Sequence, residues 1–171
     1  MSDFDEIIQR IRGEKINAVA VCLIHSYINP EHELQARAII EKALPQVSVT
    51  LSHEIAREWR EYERASSAVA NAYIAPIVGR YLISLETQVR QMGVRSPLHV
   101  MHSSGGVMTL SAGRKQPVYT LLSGPVGGTI GGASLSSTLE RPTLRCVDTV
   151  SFTHLTLPTS ALVEISVVAV S

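Results

Sequence analysis

Three short runs gather the residue types that could do chemistry. In His102-Ser-Ser-Gly-Gly106 an imidazole, two hydroxyls and two glycine amides follow an apolar run. In open α/β sheets, hydroxyls and glycine N–H groups at the carboxyl end of a strand bind oxyanions and phosphates. His102 and Ser103 are therefore candidate catalytic residues, and Gly105 and Gly106 candidate binding residues. A polar turn that uses glycine for positive φ gives the same string, and spacing does not separate the two.

The second run is Ser123-Gly-Pro-Val-Gly-Gly128, continued by Gly131 and Gly132. A glycine costs about 1 kcal/mol inside a helix. Either a phosphate lies against this backbone, with Ser123 and Gly124 as binding residues, or another helix crosses close to it. No Lys-Ser/Thr pair follows Gly132, which removes a P-loop, and G-x-G-x-x-G is absent. The third candidate is Asp148, at the end of an apolar run and 20 residues beyond Gly128. A ribose-binding acid would stand there in a Rossmann-like module, so that alternative stays open.

His25, His53 and His102 each end or closely follow an apolar run. Three imidazoles at one sheet edge would serve as metal ligands or proton carriers, but none has a ligand partner at i+3 or i+4. Surface or capping histidines fit the same positions. Arg57 and Glu61 stand at the spacing of a helix-surface ion pair. Trp59, Tyr62 and Tyr73 fall on helical spacing and read as core.

These residues need a frame to hold them, and the pattern alternates helix and strand. Phe4, Ile7, Ile8 and Ile11 repeat at helical spacing, and residues 17–24 form a continuous β-prone run, as in a strand covered on both faces. Pro30 with Glu31 and Glu33 opens a helix that Pro45 stops. Residues 47–51 are a second strand. A long helical segment follows, which Pro76 should interrupt and Gly93 end. Strands are predicted at 98–101, 118–122 and 144–147, with a glycine-rich helix over 125–139. The rhythm is that of an α/β domain with a mixed or parallel sheet and flanking helices.

Composition bounds the function. The chain has 171 residues, 45% hydrophobic and 18% charged, with zero formal net charge, enough for one sizeable core. Neutral charge removes the electrostatic footprint for nucleic acid. No run reads as long enough for a membrane span, and no signal sequence opens the chain. Cys22 and Cys146 sit in apolar runs and read as buried free thiols in a reducing cytoplasm.

Six segments resemble the hydantoinase A/5-oxoprolinase family in order. They are residues 18–32 (Ala-Val-Ala-Val-Cys-Leu-Ile-His-Ser-Tyr-Ile-Asn-Pro-Glu-His), Ser52-His-Glu-Ile-Ala56 with Arg60-Glu-Tyr-Glu-Arg64, Asn71-Ala-Tyr-Ile-Ala-Pro76, Met101-His-Ser-Ser-Gly-Gly-Val107 and Leu121-Leu-Ser-Gly-Pro-Val-Gly-Gly128. The resemblance covers residues 5–148. It implies part of one lobe of an actin-like (ribonuclease H-like) ATPase fold, with the helix over 125–139 joining the lobes. It also implies ATP and Mg²⁺ as cofactors, a small cyclic amide such as hydantoin or 5-oxoproline as substrate, and a hydantoinase B-type second subunit or domain. ATP-dependent carboxylases of small ketones share the scaffold and stand as the alternative. A non-catalytic α/β module is a further one.

On this resemblance His102, Ser103, Gly105 and Gly106 face the nucleotide cleft, with His25 and His53 as further polar contributors. Asp148 is the acid of the second phosphate loop and orients metal-bound water. The family's first phosphate loop, Asp-x-Gly-Gly-Thr, is not in the chain, and Thr149-Val-Ser-Phe-Thr153 stands where Gly-Gly-Thr-Ser should follow Asp148. Residues 149–171 carry a single charged side chain, Glu164, and read like translated adaptor sequence. The expectation is an internal fragment over 1–148, inactive alone, with a foreign tail over 149–171. A genuine terminal β segment is the other reading of that tail.

Overall fold

A computed structural model describes residues 3–140 and the backbone of two further strands, Thr143–Thr149 and Leu162–Val168. Side chains beyond residue 140, those of Cys146 and Asp148 included, lie outside the described residues, as does most of the tail. The chain divides into two compact units: Met1–Val100 with Met108–Tyr119, and Met101–Val107 with Thr120–Ser171.

The first unit is built on a βαβ element. β1 (Ala18–Val21) runs parallel to β2 (Ser48–Leu51), in the register Ala18↔Ser48 to Val21↔Leu51, and α2 (Glu31–Ala43) connects them. Helix α1 (Asp3–Gly13) precedes this element. Asn29 Oδ1 accepts the Glu31 N–H at 3.1 Å, and Glu31 and Glu33 lie in the first turn of α2, where the helix dipole favours acids. Ile11, Ile40, Leu44 and Val47 form the buried core, with Ile8, Ile16, Val19, Val21, Ala43 and Val49 packed against it. The expected strand over 17–24 is shorter because the Leu23 N–H is captured by Glu33 Oε1 at 2.9 Å rather than by a ladder. His25 then takes a left-handed conformation (φ 58°) and turns the chain.

A one-turn helix, α3 (Ser52–Ile55), leads to α4 (Glu61–Gln91), which packs on both strands. Pro76 does not interrupt α4: it sits inside one continuous 31-residue helix. For the same reason α4 is long and apolar enough, by length and composition, to cross a membrane, contrary to the sequence expectation. Buried Arg64 and Asn71 fasten it by hydrogen bonds to the rest of the unit, as in a packed helix. Trp59, Tyr62 and Tyr73 are not core: they are 67%, 82% and 78% exposed. The buried face of α4 is instead Arg64, Ala68, Asn71, Ala72 and Ala75, mostly small residues over which the strands approach closely. Arg57 does not pair with Glu61. The ion pairs there are Arg64–Glu61 at 3.8 Å and Arg60–Glu63 at 3.5 Å.

β3 (His99–Met101) and β4 (Val107–Thr109) flank the 102–106 turn, and α5 (Leu110–Lys115) follows, capped by Thr109 Oγ1, which accepts the Ala112 N–H at 3.2 Å. The expected strand over 118–122 is not formed. Pro117–Thr120 is a 3-10 turn. Asn71 Oδ1 takes the Val118 N–H at 3.1 Å, and the Tyr119 hydroxyl donates to the Ile55 carbonyl, so side-chain bonds hold this segment where a ladder was expected.

In the second unit, α6 (Ser123–Thr138) is the glycine-rich helix, entered through Leu122 in the left-handed region (φ 60°). It packs on β5 (Thr143–Thr149), which pairs antiparallel with β6 (Leu162–Val168), from Thr143↔Val168 to Thr149↔Leu162. Parallel and antiparallel pairs together give the expected α/β class.

Candidate functional site

The predicted turn closes on itself. His102 N donates to the Gly106 carbonyl at 2.7 Å, and Gly105 N donates to the His102 carbonyl at 2.9 Å. The Ser104 N–H and hydroxyl both lie on His102 Nδ1, at 3.0 and 2.7 Å. An Nδ1 that accepts an N–H is unprotonated, so neutral His102 carries its proton on Nε2. His102 is therefore arranged to donate from Nε2, with Ser104 fixing the tautomer.

This turn is brought to the start of α6. The Ser103 hydroxyl donates to the Leu121 carbonyl, two residues before Ser123. Gly105 has φ +91°, and a Cβ there would stand 2.8 Å from Ile130 Cδ1. Gly127 faces Met101, whose methyl lies 3.6 Å from where a Cβ would be. Glycines 105 and 127 thus serve packing between turn and helix. A Cβ built at Gly106, Gly124, Gly128 or Gly131 would meet nothing within 4 Å among the described residues. Asp148 lies on β5 opposite Val163, its side chain outside the described residues.

Three N–H groups of the turn, those of His102, Ser104 and Gly105, are used inside it.

The first unit holds a buried polar cluster whose two central ions sequence reading missed. Glu33, Ser52, Arg64 and Ser26 are at most 1% exposed, and His53 is 8% exposed. Glu33 Oε1 accepts from Leu23 N at 2.9 Å and from the Ser52 hydroxyl at 2.6 Å. Its Oε2 accepts from His53 N at 3.2 Å and meets His53 Nδ1 at 2.7 Å. Burial alone would raise the Glu33 carboxyl. The bonds from Ser52, His53 and the two backbone N–H groups outweigh it and hold the carboxyl below its ordinary value. Arg64 donates to Ser52 Oγ at 3.0 Å and to the carbonyls of Glu58 and Leu23, both at 2.7 Å. The cluster ties the ends of both strands to the starts of α2 and α4.

A signal for both ions was in the spacing. Glu33 is in phase with Ala36, Ile40 and Leu44, and Arg64 with Ala68, Asn71 and Ala75, so each charge sits on the buried stripe of its helix. Of the three histidines, His53 lies in this cluster. His25 is exposed, its ring 6.1 Å from that of Tyr27. No group of three or more His, Cys, Asp or Glu suited to a metal occurs among the described residues.

Comparison with known proteins gives a consistent picture. The profile described as Hydantoinase/oxoprolinase matches residues 64–151, and that of the Hydantoinase/oxoprolinase N-terminal region matches residues 1–44. Caprolactamase subunit alpha of Pseudomonas jessenii is 36% identical over 118 residues, 69% of this chain and 17% of that one. The solved ATP-dependent caprolactamase from the same organism aligns with TM-score 0.72 at 30% identity, over 83% of this chain and 20% of that one. A nucleotide-free acetone carboxylase aligns with TM-score 0.74 at 24% identity, over 85% of this chain and 21% of that one, a likeness of fold. The chain thus spans about a fifth of the length of these relatives.

Proposed function

The chain belongs to the hydantoinase/oxoprolinase family, and from that premise we propose that it is part of an ATP-dependent enzyme that opens a small cyclic amide. The observation that carries this reading is the caprolactamase likeness, in which sequence identity and fold agree over most of the chain. When bound, ATP would supply a phosphoryl group to the amide oxygen, with ADP leaving, which makes the amide carbon open to water and lets the ring C–N bond break with release of phosphate. The chain's own contribution is positional: His102 presents an Nε2–H donor, Ser103 locks the turn onto the entry of α6, and β5 carries Asp148. Mg²⁺ and the phosphates would be held by segments of a longer polypeptide, with Asp148 toward the metal. A second, B-type subunit is part of this proposal, because caprolactamase alpha is itself named as a subunit. ATP use and free Cys22 fit a cytoplasmic setting.

The test is ATP hydrolysis by a polypeptide of the relatives' length that contains residues 1–148. Stimulation by caprolactam, hydantoin or 5-oxoproline, lost in Asp148→Asn and reduced in His102→Ala, is the expected outcome. Stimulation by acetone with bicarbonate instead would assign the chain to the ketone carboxylases. No stimulation by any of these would refute both enzyme readings.

A further inference from the structure

The first unit has a cleft of about 550 Å³ lined by His53, Glu54, Ile55, Arg57, Lys115 and Gln116. That is within the size range of small-molecule sites. It does not depend on the nucleotide reading or on the 102–106 turn. At its inner wall the Glu33–His53 pair fixes one imidazole tautomer. Ionised Glu33 only accepts, so the His53 Nδ1 carries the shared proton. His53 Nε2 makes no hydrogen bond with a described residue. It accepts when the ring is neutral and donates when it is protonated.

The charges around the cleft do not cancel locally. Glu54 is taken by Arg37, whose Nη1 and Nη2 each donate to one carboxylate oxygen. Those bonds hold the Glu54 carboxyl below its ordinary value. Gln116 Nε2 is spent on the Glu54 carbonyl at 2.6 Å. The side chains of Arg57 and Lys115 form no ion pair or hydrogen bond among the described residues. Both are exposed; Ala56, the residue before Arg57, donates its N–H to the Ser52 carbonyl at 3.0 Å, and the Lys115 carbonyl accepts from Asn71 Nδ2 at 3.2 Å. Lys115 acts on the Glu54 carboxylate through space without a hydrogen bond to it. Two cations with no hydrogen-bonded partner among the described residues, beside an oriented imidazole on one concave surface, are complementary to an anion.

We propose that this cleft is a binding site for a small oxyanion, a carboxylate or phosphate, held between Arg57, Lys115 and the His53 imidazole. Arg57 supplies planar paired donors, Lys115 a point charge, and the protonated form of His53 an Nε2–H donor whose direction Glu33 sets.

Titration of the protein with sodium phosphate and, separately, sodium acetate at fixed ionic strength tests it, read by the His53 ring nitrogen shifts in NMR. A saturable shift of Nε2 with either ion is expected, and the tighter of the two identifies the anion class. Arg57→Gln and Lys115→Gln should each weaken binding by about fivefold, the scale of one exposed charged contact, whereas Arg95→Gln should leave it unchanged. All three positions are exposed, so unchanged thermal unfolding verifies that the variants fold. The proposal is overturned if His53 shows no saturable response to either ion at roughly 50 mM, far above a millimolar Kd. An equal response in the Arg57 and Lys115 variants would overturn it as well.

Discussion

Glu33 and Arg64, two fully buried opposite charges, are bridged by one hydroxyl: Ser52 Oγ donates to Glu33 Oε1 at 2.6 Å and accepts from Arg64 Nε at 3.0 Å. A hydroxyl is suited to this place because it donates and accepts at once. Ser52→Ala leaves each ion short of one partner, and hydrogen bonds to charged groups contribute about 1.5–3 kcal/mol each. Urea unfolding should show a loss of about 3 kcal/mol for Ser52→Ala and about 3–5 kcal/mol for Glu33→Gln, which removes the buried charge itself.

Acid should act through the same carboxylate. Glu33 is depressed in the folded chain, so its stabilising contribution is complete above the unfolded value, about 4.3. It is lost as pH falls through the lower folded value. Glu54, depressed by Arg37, adds in the same direction. Unfolding free energy measured against pH should fall steeply below about pH 4.3, with a shallower slope in Glu33→Gln. An unchanged slope in that variant would assign the acid sensitivity elsewhere.

Asn71 should be the most informative uncharged substitution. Its amide donates to Thr50 Oγ1 at 3.1 Å and to the Lys115 carbonyl at 3.2 Å, and its oxygen accepts the Val118 N–H at 3.1 Å. One side chain thus secures β2, α5 and the 3-10 turn. Asn71→Ala should cost about 2–3 kcal/mol through the groups left unpaired. Hydrogen exchange at the Val118 amide should accelerate beyond the global loss.

Gly105 is held by two constraints. Its φ of +91° disfavours any side chain, and a Cβ would press on Ile130 Cδ1 at 2.8 Å. Gly105→Ala should destabilise the second unit by about 1–3 kcal/mol. Adding Ile130→Ala should recover the steric part and leave the backbone part. Amide exchange in α6 would separate them.

The parts of the fold visible in sequence are those governed by local rules. The run into β1, the opening of α2 at Pro30 with Glu31 and Glu33 in its first turn, and the second strand follow from local propensity and the helix dipole, and the structure has them. What was missed depends on partners distant in sequence. Whether residues 118–122 become a strand is decided by Asn71, 47 residues earlier. The helical phase of Glu33 signals its burial, but the groups that satisfy the buried carboxylate, Ser52 and His53, lie about twenty residues later. Aromatic residues at helical spacing on α4 looked like core because spacing gives a face without saying which face is covered. The histidine turn was legible as a turn, but its tautomer, set by Ser104, required coordinates.

The unbroken passage of α4 through Pro76 has a mechanical consequence. Proline has no N–H, so the Ala72 carbonyl lacks its helical donor at that one level of the helix. Before it lie Arg64, Ala68, Asn71, Ala72 and Ala75, all buried; beyond it only Leu82 is. The 31-residue rod is therefore held at two levels, by the polar cluster before the proline and by α5 beyond it, where Leu82 is buried and Glu86 pairs with Arg114, and it is notched between the two. Thermal fluctuation will concentrate at that notch, and a push on the far half of the rod travels both through it and through α5, which Glu86 holds by Arg114 and Asn71 by the Lys115 carbonyl.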